Sequence, residues 1–235
     1  AKRSYYIDQL PIFQKATGFA TMFANNFKVI YVPFNKGMGK VDAGLLTMTG
    51  YKVNSATRYQ LPISFSWPIS MVNLKRCLLE TRIPIEGTDK EIVLVNLHLE
   101  AYDSGEGKIA QTKQLMDLLS KEYKAGNYVI AGGDFNQTFE PVKDAYPLTQ
   151  DTIANNKWQP GIINNSDLAE GFSFAVSDNA ATCRLDDHAL DATTQLYIID
   201  GFIVSNNITV EQVSNLDKGF AYTDHNPVKM TFKMQ

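Results

Sequence analysis

AGGDFNQT, residues 131–138, sets an acid and an amide two positions apart, directly after an apolar run and a pair of glycines. If YVIAGG (128–133) is a buried strand, its exit delivers Asp134 and Asn136 to one place, because period two sends both side chains to the same side. Gly132 and Gly133 clear side-chain bulk beside them. Taken alone the stretch reads equally as a plain turn, since Gly, Asp and Asn are turn residues.

The rest of the chain supplies the context. Its 235 residues, 44% of them hydrophobic, suffice for one domain spanning 1–235 with a substantial core. No stretch approaches the roughly 18 consecutive apolar residues of a membrane-crossing helix. The net charge of −3 and a sequence pI near 5.6 argue against nucleic-acid binding by bulk charge, though a local basic cleft stays open. Two cysteines, Cys77 and Cys183, cannot build a disulfide framework, and no zinc spacing accompanies them. Cys77 reads as a buried strand residue.

YYIDQLPIFQKATGF predicts a short N-terminal helix stopped by Gly18, followed by strands at FKVIYVPF and GLLTMT with turns at GMGK and TGYK. Met71–Ile85 and EIVLVNLHLE predict two neighbouring strands joined by the polar loop PIEGTDK. Ile109, Leu115, Leu118, Leu119 and Tyr123 fall on one face of a helix that AGN ends. Pro141–Asp191 predicts long loops with short helical pieces. QLYIIDGFIVS, ITVEQVS and NPVKMTFKM restore strand character. Mixed strands with few helices and no linker point to an α+β sandwich of sheets covered by helices.

Chemistry concentrates where these strands end. His98 follows IVLVNL, Asp200 interrupts an apolar strand in IIDGF, and Asp224 and His225 stand before the last strand in TDHNP. A carboxylate buried at Asp200 needs a partner. His188, in the polar DDHALDA, reads as a surface loop residue. Phosphodiester cleavage builds negative charge on phosphoryl and leaving oxygens, so acids, an amide and two imidazoles are suitable equipment. Carboxylate and amide oxygens also suit Mg²⁺.

The series NLHL (96–99), GGDFN (132–136), IIDGF (198–202) and TDHNP (223–227) resembles the endonuclease/exonuclease/phosphatase family, which includes pancreatic-type deoxyribonucleases, abasic-site endonucleases, bacterial sphingomyelinases and inositol phosphatases. The resemblance runs from about residue 1 to the C-terminal strand. It implies a four-layered α/β/β/α sandwich of two mixed, mainly antiparallel sheets, and a site dependent on Mg²⁺, with Mn²⁺ as a substitute. Carried over by motif, it makes Asp134 and Asn136 the holders of an attacking water, with Asp134 a candidate for its base. It makes His225, steered by Asp200, either the base or a stabiliser of phosphoryl charge. It places Asp224 at the metal and His98 at the scissile phosphate or leaving group.

One departure stands against the matches. The resemblance calls for an upstream strand with an Asn and a strand ending in QE, whose Glu binds metal, and no QE occurs here. The expectation is a chain trimmed at its N-terminus, lacking that ligand and a central strand, with catalysis by this chain alone in question. A binding-only member of the fold is the alternative. Arg76, Arg184 and Lys75 are candidate phosphate contacts or solvated strand flanks, and Phe65, Trp67 and Met71 read first as core or loop packing, with stacking on a base or dipping into lipid as the alternative. The expected partner is a phosphate ester (nucleic acid, lipid head group or small molecule), met by a monomer with no obligate protein partner.

Overall fold

A computed structural model describes residues 4–32, 39–67, 70, 73–103 and 105–235. Helix α1 (Leu10–Thr17) carries Pro11 in its first turn and stops at Gly18, whose φ of 68° is left-handed. The chain continues through β1 (Ala20–Val32), β2 (Gly39–Thr49), β3 (Ser55–Gln60), β4 (Cys77–Pro84) and β5 (Glu91–His98). Next come α2 (Glu106–Lys124), β6 (Tyr128–Asp134), β7 (Gln137–Phe139), α3 (Gln150–Ala154), β8 (Gly161–Ile163) and β9 (Phe172–Ala175). It closes with β10 (Cys183–Arg184), β11 (Leu196–Tyr197), β12 (Asp200–Ser205), β13 (Ile208–Asn215) and β14 (Val228–Met234).

One sheet organises the molecule, with strand order β3-β4-β5-β6-β12-β9. Within this sheet only β5 and β6 pair parallel, and α2 makes the crossover between them. Alternation sorts the side chains. Val93, Val95, Leu97, Val129 and Ala131 face Leu115, Leu118 and Leu119 of α2, whereas Ile130 and Val204 face β13 and β14 through Ile208, Met230 and Phe232. Burial of Leu115 and Leu119, both at 0% exposure, contributes roughly 1.5–3 kcal/mol each. The second layer consists of two separate antiparallel pairs, β1–β2 and β13–β14. β1 packs on β4, β2 on β5, and α1 lies against β1. The result is the expected layering of helix, sheet, sheet and helix.

Several elements differ from the sequence reading. Ile109 is 71% exposed, because α2 turns Gln111, Thr112 and Met116 inward with its leucines instead. The strand expected over Met71–Ile85 occupies only Cys77–Pro84; Met71, like Gly37 and Met38 of GMGK and Pro33 and Phe34 of FKVIYVPF, lies outside the described residues. The segment expected to be loops and short helical pieces also holds β7, β8, β9 and β10, and β9 is an edge strand of the main sheet. QLYIIDGFIVS breaks into β11 and β12, since Ile198 and Ile199 leave both ladders while staying buried.

Candidate active site at the end of the central sheet

Register alone gathers three of the expected residues. His98 pairs with Asp134 across β5 and β6, and Asp200 pairs with Asp134 across β6 and β12. Three neighbouring strands therefore present His98, Asp134 and Asp200 at one level of one sheet end. His225 joins from the loop before β14, where Cys183 bridges to it.

The two imidazoles converge on the Asp134 carboxylate, and Asp200 holds one of them. Asp134 Oδ2 lies 3.3 Å from His98 Nε2 and 3.9 Å from His225 Nε2. His225 Nδ1 is 2.8 Å from Asp200 Oδ2, which supplies the partner that a carboxylate in an apolar strand requires. Thr182 holds that strand entrance, its hydroxyl accepting from the amides of Ile199 and Asp200. Gly133 is required for the close approach: its φ is 146°, and an added Cβ would collide with the Leu97 carbonyl oxygen of the adjacent strand.

Asn136 reaches the site by another route than alternation. The strand ends at Asp134, Phe135 turns into the core at 0% exposure, and Asn136 takes a left-handed φ of 50°. Its backbone N–H donates to Asp134 Oδ1 at 2.8 Å. Its side-chain Nδ2 donates to the Leu99 carbonyl at 2.8 Å and faces Asp134 Oδ2 at 3.3 Å. An amide so committed orients Asp134, and period two is not what joins the pair.

Electrostatics separate the groups. Burial, with the Asp200 carboxylate close by, pushes Asp134 up to about 7, against a smaller pull from His225. For His225 burial opposes the charge, but the hydrogen bond to Asp200 and the Cys183 thiol beside it prevail and raise the imidazole to about 11. His98 goes the other way, below its ordinary value, through burial, Arg76 and His225, although solvent still reaches 38% of its side chain. At neutral pH the cluster holds a charged imidazole and a neutral imidazole beside a carboxyl group whose pKa is raised.

Stability carries the same signature. With its pKa raised from 6.5, His225 contributes fully below pH 6.5, and that contribution is lost as pH climbs toward about 11. Asp134, raised from 3.8, makes stability fall between about pH 4 and 7 as well. Melting temperature is therefore expected to decline more steeply between pH 7 and 10 in the wild type than in His225→Gln. Parallel declines in the two proteins would refute the assignment of the shift to His225.

The other expected contacts have partners of their own or face solvent. Arg76 is 2% exposed and pairs with Glu100 at 3.3 Å, so it is not a free phosphate contact. Arg184 is bound within its own loop, to the carbonyls of Leu185 and His188 and to Asp186. Lys75 is exposed. Trp67 is 78% exposed and Phe65 half-buried. His188 is no bare surface residue: Asp187 lies 2.6 Å from Nδ1 and Thr194 3.1 Å from Nε2. Asp224 is exposed, with Oδ1 accepting from the Thr223 hydroxyl. Sequence reasoning missed Thr182, Asn226 and Glu100; of these only Asn226, inside DHNP, lay within a recognisable motif. Asn226 borders a cavity of about 260 Å³ with Gly133, Asp200, Gly201, Phe202, Pro227 and Val228.

Among the described residues no group of three or more His, Cys, Asp or Glu side chains is placed to bind a metal ion. Asp134 and Asp200 already face nitrogen partners, which leaves Asp224 as the carboxylate turned to solvent.

No family profile and no curated protein matches the chain. Solved structures do. An endonuclease/exonuclease/phosphatase protein from Beutenbergia cavernae is similar at a TM-score of 0.64 and 19% identity over 96% of this chain, which spans 56% of that protein's length. The human Nocturnin catalytic domain with bound sulfate gives 0.59 and 17%, covering 98% of this chain and 77% of that one. A mannosyl-6-phosphatase from Bacteroides thetaiotaomicron gives 0.58 and 15%, covering 96% and 81%. At these identities the likeness is one of fold.

Proposed function

We propose that this chain, which has the fold of the endonuclease/exonuclease/phosphatase proteins, hydrolyses a phosphate ester by attack of water on phosphorus, with Asp134 as the base. The convergence of His98, Asp200-bound His225 and Asn136 on the Asp134 carboxylate supports this reading most directly. A carboxyl group raised to about 7 is matched to taking a proton at neutral pH. Asn136 fixes it, and the water rests on its free lone pairs. His225, protonated on both nitrogens and held by Asp200, donates from Nε2 to the phosphoryl oxygen on which charge grows. His98 is the second, neutral donor to the phosphate.

A substrate with one phosphate suits this site better than a polyanion, because both arginines expected to hold phosphates are committed to protein partners. Mg²⁺, or Mn²⁺ in its place, would be met by Asp224, the exposed carboxylate beside His225, although the described residues form no group of three or more ligand side chains. A binding-only role draws on that same observation.

Hydrolysis of p-nitrophenyl phosphate and its bis-ester, with Mg²⁺, with Mn²⁺ and with chelator, tests the reading. Turnover that persists in chelator would make these side chains sufficient. Turnover only with added metal would mean that the cation arrives with the substrate's phosphate, to which Asp224 is the carboxylate available. Binding of inorganic phosphate without turnover in any condition would replace the enzyme by the binding-only member.

A further inference from the structure

Arg76 and Glu100 are buried charges at 2% and 3% exposure, directly behind the site. Arg76 precedes β4, its Nε is 3.3 Å from Glu100 Oε2, and its Nη1 donates to the His98 carbonyl at 3.2 Å. Glu100 spends its other oxygen, Oε1, on the amides of Ala101 at 3.0 Å and Tyr102 at 3.1 Å. Its own amide donates to Gln111 Oε1 of α2 at 2.9 Å, and Gln111 Nε2 donates to the Pro62 carbonyl. From the opposite side, the Leu99 amide donates to the Asp134 carbonyl at 2.9 Å, and Asn136 Nδ2 donates to the Leu99 carbonyl. Two consecutive carbonyls, those of His98 and Leu99, are thus gripped from opposite flanks.

Burying two charges is costly, and a turn can close on backbone bonds alone. Here the pair instead ties the His98 carbonyl to the Ala101 and Tyr102 amides of the turn after β5. We propose that Arg76, clamped by Glu100, is a positioning residue that fixes the His98 backbone so that Nε2 points at Asp134. The charged groups around that ring are Arg76 at the entrance to β4, Asp134 from β6 and His225 from the loop before β14, with Glu100 and Lys108 behind Arg76. The catalytic consequence rests on the reading of His98 as a phosphate donor; the placement of the ring does not.

The experiment is a histidine-ring NMR titration of the full chain from pH 5 to 9, with His98 assigned from the His98→Gln spectrum, alongside kinetics on p-nitrophenyl phosphate. Arg76→Met alone leaves Glu100 buried and unpaired, so the principal variant is Arg76→Met with Glu100→Met, which removes both charges together. Arg76→Lys keeps the charge without the planar fork, and Glu100→Gln is the milder partner change. In the wild type His98 is expected to stay neutral throughout. In the double variant its resonances shift, His188 is unmoved, and kcat falls roughly 10- to 100-fold at little-changed KM. Arg76→Lys restores only part of kcat. His98 resonances identical to wild type in a folded double variant, or in Glu100→Gln where the double variant does not fold, overturn the proposal. A chain that turns over no phosphate ester defeats the proposed function and leaves this measurement standing.

Discussion

Asp134→Asn is expected to lower kcat on the bis-ester by roughly 10²–10⁴-fold, the usual contribution of a positioned base, with little change in KM. The substitution keeps the shape of the side chain and an oxygen to accept the Asn136 N–H, so the loop after β6 holds its place. What disappears is the site that takes the water's proton. p-Nitrophenolate leaves without needing a proton, so the loss reports on the base alone. Stability separates this outcome from damage to the fold. In the wild type, burial and the neighbouring Asp200 both disfavour the Asp134 anion, and a neutral amide escapes both. At pH 8 the variant should melt no lower than the wild type. The wild-type rate should climb as pH passes about 7, because only the deprotonated carboxylate accepts a proton, and that limb should vanish from the residual rate of the variant. A loss below tenfold, or an acid limb unchanged in Asp134→Asn, would remove Asp134 as the base.

The sequence made the site visible because apolar runs end in polar residues at matched levels. VLVNLH, VIAGGD and DGFIVS are buried strands whose termini carry one acid or imidazole each, and sheet register brings those termini together. Asn136 lies against Asp134 for a different reason than alternation. The spacing of two is real, but a left-handed residue follows a buried phenylalanine, and a backbone reversal of that kind leaves no period to read. Arg76 is not legible locally because a charged residue beside a strand looks the same whether it faces substrate or a buried acid, and Arg184 turns to the exposed Asp186 and to carbonyls of its own loop. Glu100, 24 positions along the chain, is what settles Arg76, and no local pattern links them. β9 was invisible for a related reason: FSFA is four residues long amid Asn, Asp and Pro, and its pairing with β12 alone makes it part of the sheet. The helical face of α2 erred only at Ile109, one turn from the N-terminus, where the glutamine and threonine two and three residues on take the buried positions.

Asp200→Asn separates two roles that the geometry joins, and its effect should depend on pH. The carboxylate lies 2.8 Å from His225 Nδ1 and is the main cause raising that imidazole; the amide can still accept the Nδ1 proton but carries no charge. His225 should therefore lose its second proton at a pH closer to the ordinary 6.5. The donor to the phosphoryl oxygen then disappears above neutrality. Asp134 moves as well: freed from the Asp200 charge, its pKa falls and the base becomes available at lower pH. Both limbs of the rate profile shift toward acid, so activity near pH 6 should survive better than activity near pH 9, where a loss of roughly 10²-fold or more is expected. Because Asp200 works through His225, the double variant Asp200→Asn with His225→Gln should be no slower than His225→Gln alone. A profile parallel to wild type would show that Asp200 holds the ring without setting its charge. Additive losses in the double variant would mean that Asp200 meets the substrate itself, from the cavity that it lines beside Phe202 and Asn226.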